Sequence, residues 1–218
     1  MYSVVEENYL KALLSLANAD DEVSINDLSK RLNIKMPTVN SMMKRFAEKE
    51  LVTYESYKPV KLNAKGKKEA SMIIRKHRLT EMFLVEKMDF NWEQVHEIAE
   101  QIEHIQSPLF FEKMDALLGY PRFDPHGSPI PDKNGNVAQT AYVPLSQCGE
   151  QEQLTLKAVS DSSEGFLRFL NGRSILLGDQ LKVLSKEPFD GSMQVEVKGK
   201  STEMFSQLIC DKLLVEKA

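Results

Sequence analysis

The chain has 218 residues, 42% hydrophobic and 28% charged, with a net charge of −4. This is long enough for one large domain or two to three small ones with real cores, and too acidic for the whole molecule to attract nucleic acid, so any such surface must be local. Two distant cysteines, Cys148 and Cys210, speak against a disulfide scaffold and a thiolate zinc site. The absence of a membrane-length apolar run or a signal-peptide pattern sets the expectation of a cytoplasmic protein with no membrane partner.

Residues 2–18 read as a helix with Val5, Tyr9, Leu13 and Leu16 on one stripe. Ser24 is the expected N-cap of a second helix through Leu32, with Asp27 in a capping-box arrangement. Asn33-Ile34-Lys35 forms a turn, and Pro37 suits the first turn of a third helix through Lys49. Residues 51–66 alternate like a hairpin, with Lys58-Pro59 at the tip. Helix, helix, turn, helix, hairpin is the order of a winged helix-turn-helix, assigned to residues 1–66.

A long helix is expected from its cap Asn63 to Lys87, a second after Asn91 and a third from Ser107-Pro108 to Leu118-Gly119. Residues 119–137, rich in Pro and Gly, read as a linker. Beyond them LTLKAVS, QLKVLS and MQVEVKG read as strands, and SEGFLRFLN and STEMFSQLI as short helices. These make a small β-barrel of about seventy residues, near the lower size for an independent core. The fold class is therefore mainly α and multidomain.

On the helix from Pro37, the face bearing Val39, Met42, Met43 and Phe46 should pack inward. Thr38, Ser41, Lys44 and Arg45 then point out, flanked by Lys35 and Asn40. Small hydroxyls and an amide can reach base edges while cations hold phosphates. The wing adds Lys58 and Lys61. Residues 24–68 hold eleven Lys or Arg against four Asp or Glu, a local charge of +7. A basic N-terminal unit on an acidic chain suits a reader of double-stranded DNA.

Residues 95–104, VHEIAEQIEH, hold half of the chain's four histidines. At about 100° per residue, His96, Glu100, Glu103 and His104 share one helix face, with Glu97 turned to solvent. Val95, Ile98, Ile102 and Ile105 should pack nearby. His77 and Glu81 lie four apart on the preceding helix, so two antiparallel helices could bring imidazoles and carboxylates together as a metal site. The stretch contains HExxE, not HExxH, and nothing else resembles a nucleophile with its base. The chain is expected not to be an enzyme.

RKHRLTE, VHEIAEQIEHI, LLGYP and PHGSPIP follow in this order after the winged helix with MPTVNSMMKRF, and a barrel with SILLGDQLKV closes the chain. Together they resemble the diphtheria toxin repressor family of metal-dependent transcriptional regulators, over essentially the whole chain. The likeness is greatest to the three-domain, manganese-responsive branch. It implies a winged helix over 1–66, a helical metal-binding and dimerisation domain over 67–140 and an SH3-like domain of the ferrous-transport accessory type over 141–218. It implies a primary metal site of Asn8, Glu100, Glu103 and His104. A second site would use Glu81, Asp124, His126 and Asp161, with His77 and His96 at ancillary positions. Two positions depart from the family pattern: Asn8 stands where aspartate or methionine is usual, with Glu7 as a neighbouring substitute, and Asp124 stands where the closest branch often has cysteine. Glu100 replaces the cysteine of iron-responsive members. Carboxylates with imidazole suit Mn²⁺ and tolerate Fe²⁺. The expected function is a homodimeric, metal-activated repressor of metal-uptake genes acting on operator DNA. The competing expectations are a winged-helix regulator answering a small organic ligand, with a structural His/Glu cluster, and a metal-dependent hydrolase with a vestigial winged helix.

Overall fold

The computed structural model describes residues 2–217. They fall into two compact units. The first takes the described chain up to Arg78 with Glu100–Glu112 and Ile130–Ala138; the second takes Leu79–Ala99, Lys113–Pro129 and the described chain from Gln139.

The first unit opens with α1 (Val4–Leu16), β1 (Glu22–Val23), α2 (Ile25–Leu32), α3 (Met36–Glu48), β2 (Val52–Thr53) and β3 (Val60–Leu62). Ser3 caps α1 in a reciprocal capping box with Glu6, and the Ser24 side chain accepts from the Asp27 amide to start α2. Asn33 ends α2 in the left-handed region, which an amide side chain tolerates. Strands β1 and β2 both pair antiparallel with β3, so the expected hairpin gains a third strand. A two-residue strand carries too little alternation to be read from sequence. Tyr9, Leu10, Leu13, Leu28, Met43 and Phe46 anchor the core.

The buried face of α1 differs from the expected stripe. Tyr9 and Leu13 are inside, but Val5 is exposed, and Glu6 and Glu7 are buried instead. A hydrophobic pattern cannot register a carboxylate that is buried because it is paired. Glu6 accepts from Lys49 Nζ at 2.5 Å and from Arg45 at 3.3 Å, which ties the first turn of α1 to the last turn of α3.

Helices α4 (Ala64–Met88), α5 (His96–Ile102) and α6 (Pro108–Leu117) contribute to both units. The Asn63 side chain accepts from the Gly66 amide at the start of α4. The helix expected after Asn91 is shorter than anticipated. Asn91 and Gln94 close a turn on themselves, so α5 begins only at His96. It ends at Ile102, whose carbonyl accepts from the Ile105 amide; Glu103 and His104 therefore lie in a turn, and Ile105 is exposed rather than packed.

In the second unit the stretch expected to be a linker is partly ordered. Phe123 bridges Pro129, and Asp124 and His126 inside this turn are buried. The C-terminal part holds β4 (Val143–Pro144), a short 3-10 turn, β5 (Gln153–Val159), α7 (Glu164–Asn171), β6 (Gln180–Lys186), β7 (Met193–Val197), β8 (Ser201–Phe205), α8 (Gln207–Cys210) and β9 (Leu213–Lys217). The antiparallel sheet order is β4-β9-β5-β6-β7-β8. STEMF, expected as helix, is strand β8, and only QLIC is helical. Its alternating residues pair with β7 in register, so tertiary pairing overrides a weak local helix preference. Leu154, Leu156, Leu167, Val183, Val195 and Phe205 fill this core.

The lysine hydrogen bond and the Ser3 amide hold the Glu6 carboxyl below its ordinary 4.5. A depressed carboxyl contributes stability that is complete above the unfolded value and lost as pH falls through the folded one. Glu6→Gln should therefore flatten the acid limb of the stability curve below about pH 4.5. At pH 7 it should cost about 1 kcal/mol in urea titrations, since the cationic ends are open to solvent.

Candidate metal centres and nucleic-acid face

Glu103 has no exposed surface. A buried carboxylate costs several kcal/mol unless positive charge and donors meet it. Here Lys11 Nζ lies 2.8 and 2.9 Å from its two oxygens, and His77 Nδ1 lies 2.6 Å from Oε2. Lys11 also reaches Glu100 Oε1 at 2.5 Å. His77, Glu100 and Glu103 each offer a ligand atom within 4.8 Å of the others.

His104 completes this group. Its Nδ1 is 2.5 Å from Glu7 Oε2, and since a carboxylate only accepts, Nδ1 carries the proton. Nε2 lies 3.6 Å from Glu103 Oε1. A carboxylate fixing the tautomer of an imidazole is the usual support for a metal-ligating histidine. Glu7 thus orients His104, and Gln106 Nε2 adds a second bond to Glu7 at 2.8 Å. Asn8 Oδ1 is buried and has no hydrogen-bond partner among the described residues. Asn8 and Lys11, three apart on α1, share a helix face. Carboxylates with imidazole are a donor set that fits a hard divalent cation, to which an orphaned amide oxygen could add.

A second group lies in the other unit. Glu81, Asp124 and His126, all buried, place one ligand atom each within 4.8 Å of one another. His126 Nε2 donates to the Trp92 carbonyl at 2.9 Å, which turns Nδ1 toward Glu81, 3.6 Å away. Burial alone would depress this imidazole, but the Glu81 and Asp124 carboxylates hold it above its ordinary value. Asp124 Oδ1 accepts from the His126 and Ser128 amides, both at 2.9 Å, which fixes the turn. Trp92 stacks on His126 with centroids 5.9 Å apart and donates to Asn171 of α7 at 2.8 Å.

His96 and Asp161 both belong to the second unit. His96 starts α5, which ends before Glu103 and His104, so His96 does not share one helix face with them. Its Nδ1 lies 3.2 Å from Glu81 Oε1 and 3.4 Å from Ser162 Oγ. Asp161 is paired with Lys212 and accepts from the Ser163 amide at 2.8 Å. Partial burial would raise its carboxyl, but Lys212 and Ser163 together bring it below the usual range.

On α3, Lys35, Pro37, Thr38, Ser41, Lys44 and Arg45 are exposed, opposite the buried Val39, Met42, Met43 and Phe46. Asn40 is half-buried and accepts from Tyr54 Oη at 3.2 Å. Lys58 at the wing tip and Lys61 on β3 are exposed.

Three family models match the chain: the iron dependent repressor N-terminal DNA binding domain over residues 1–60, the iron dependent repressor metal binding and dimerisation domain over 63–132, and the FeoA domain over 143–217. The diphtheria toxin repressor of Corynebacterium jeikeium is 31% identical over 125 residues, 57% of this chain and 52% of that protein. The chain thus spans about half the length of the curated relatives it matches. A manganese-dependent transcriptional repressor solved in complex with manganese is 30% identical, with a TM-score of 0.90 over 98% of this chain and 100% of that one. ScaR with bound Zn²⁺ is 31% identical, with a TM-score of 0.83 over 98% of this chain and 99% of that one. The chain belongs to the iron-dependent repressor family. Members of this family are metal-dependent transcriptional repressors, not enzymes, with a winged helix, a helical dimerisation domain and an SH3-like FeoA domain. No described helix is long and apolar enough to cross a membrane.

Sequence reasoning within this repressor family missed Lys11, the orienting role of Glu7, and Trp92. The i+4 spacing of Glu7 and Lys11 on α1 was the only available signal. Gly127, beside His126, has φ +83, and an added Cβ would lie 2.1 Å from the Lys157 carbonyl oxygen and 2.7 Å from Ala158. Gly127→Ala should therefore cost about 2–4 kcal/mol in chemical denaturation, by strain and by lifting the Asp124–His126 turn from β5. An unchanged midpoint would contradict that packing.

Proposed function

We propose that this protein is a homodimeric transcriptional repressor, activated by Mn²⁺ with Fe²⁺ the runner-up, that acts in the cytoplasm on operator DNA of metal-uptake genes. The division into 1–66, 67–140 and 141–218 is its working plan: reader, sensor and dimeriser, and SH3-like accessory. The observation that carries this reading is the gathering of α1 and residues 77 and 100–104 around one buried carboxylate. The neighbour solved with manganese and the curated iron-dependent relatives point the same way.

Asn8, Glu100, Glu103 and His104 would hold the primary cation, with His77 beside Glu103. Glu81, Asp124 and His126 would hold the second, with His96 and Asp161 at its margin. The bound cation supplies a divalent charge that several carboxylates and an imidazole can share at once. Oxygen and imidazole donors without thiolate suit manganese, and the Irving–Williams order means selectivity rests on coordination number and availability. Glu100, Glu103 and His104 must be unprotonated to ligate, so activation weakens at low pH.

The chain's own residues carry the response to the reader. Glu7 and Lys11 face the cluster, and Glu6, on the same turn of α1, holds Arg45 of α3 and its C-cap residue Lys49. Fixing α1 therefore fixes the end of the recognition helix. In a dimer this biases the separation of two recognition helices toward one DNA turn or a multiple of it. Helix α6 leaves Leu109, Phe110 and Leu117 exposed, an apolar face suited to a second copy. Thr38, Asn40 and Ser41 are assigned to base edges; Lys35, Lys44, Arg45, Lys58 and Lys61 to phosphates; and Pro37 to setting the helix start.

Fluorescence anisotropy with operator DNA tests this. Mn²⁺ should tighten binding by about a hundredfold, on the scale of a typical allosteric coupling, and Glu103→Ala/His104→Ala should abolish the response. Equal affinity with chelator and with Mn²⁺ would contradict the proposal. If calorimetry then showed no site-specific Mn²⁺ uptake, the small-organic-ligand reading would replace it.

A further inference from the structure

The two carboxylates best placed to ligate are already answered by an ammonium. Lys11 Nζ meets Glu100 Oε1 at 2.5 Å and both oxygens of Glu103 at 2.8 and 2.9 Å. A lysine has three N–H donors and no acceptor. These contacts therefore occupy its whole hydrogen-bonding capacity, and they use oxygen lone pairs that a cation would need. We propose that Lys11 is a tethered counter-cation that competes with the divalent metal for Glu100 and Glu103, and so sets the metal concentration at which the protein switches. This rests on the metal reading of the cluster given above.

Charge and reach both support it. Glu7, Glu100 and Glu103 bring three carboxylates together, and the ammonium groups of Lys11 and of Lys76, 3.7 Å from Glu7, are among the cations that meet them. A divalent cation entering with Lys11 still in place would face its ammonium across the same two carboxylates. The Lys11 side chain is 18% exposed, so a path to water exists for its head once released. Its four-carbon stem lets the ammonium swing out while the helix stays in place. A lysine there also keeps Glu103 satisfied without metal, so the metal-free protein stays folded and the switch is reversible.

A purely structural ion pair makes a different prediction. Removing its lysine would weaken the fold and leave metal uptake unchanged or poorer. The test titrates MnCl₂ into the full chain against a chelating indicator and reads thermal midpoints with and without Mn²⁺, for the wild type, Lys11→Met and Lys11→Arg. Lys11→Met should bind Mn²⁺ about tenfold more tightly or better, the scale of one charge-assisted hydrogen bond. Its metal-free midpoint should fall and its Mn²⁺-induced rise should grow. Lys11→Arg, which keeps a cation over the carboxylates, should bind no more tightly than the wild type. If Lys11→Met is unfolded without metal, Mn²⁺ should restore its fold, and failure to do so would overturn the inference. Equal or weaker binding by folded Lys11→Met overturns the inference alone. No saturable uptake by either protein overturns it together with the metal reading.

Discussion

A carboxylate sealed from water has to be met by positive charge, and Glu103 imposes that demand on everything around it. It fixes the places of Lys11, His77 and His104, which come from three separate parts of the chain. Glu100 and Glu7 then follow, because Lys11 has a third N–H to place and the His104 Nδ1–H needs an acceptor. The result is a group whose geometry depends on which positive charge answers Glu103. A protein arranged this way can couple the supply of a cation to the posture of helix α1.

Helix α1 faces two ways. Its first turns present Glu6 to the end of α3, and Glu7 and Lys11 to the acid–imidazole cluster. Adjacent residues thereby link α3 and the acid–imidazole cluster through a single rigid element. The route is short and made of charged contacts, which respond to a change of charge more steeply than apolar packing does. The second group is built on another principle: a tight turn pressed against β5 through Gly127 presents Asp124 and His126 to Glu81. Trp92 pins that arrangement to α7 through His126 and Asn171.

Much of the architecture was legible because it follows from local rules. Ser24 and Asn63 sit at helix starts, Pro37 in a first turn, and Val39, Met42, Met43 and Phe46 along one face. Three barrel strands could be read from their alternation. What escaped depends on partners distant in sequence. The two-residue β1 exists only because β3 lies beside it, and β8 only because β7 does. Val5 was misplaced because the burial of Glu6 is paid by Lys49, 43 residues away. The one-face reading of His96, Glu100, Glu103 and His104 failed because α5 stops at Ile102. His77 and His104 nevertheless meet at Glu103, and Lys11 joins Glu100 to it. Lys11 was invisible as a site residue because composition counts a lysine on an amphipathic helix as solvated surface.

Anomalous diffraction at the manganese edge, from crystals grown with MnCl₂, tests the central claim most directly. The account predicts a strong peak at ligand distance from Glu103, Glu100 and His104 Nε2, with the Lys11 ammonium withdrawn from both carboxylates. A map without a peak there, with Lys11 still bound to Glu100 and Glu103, would contradict it.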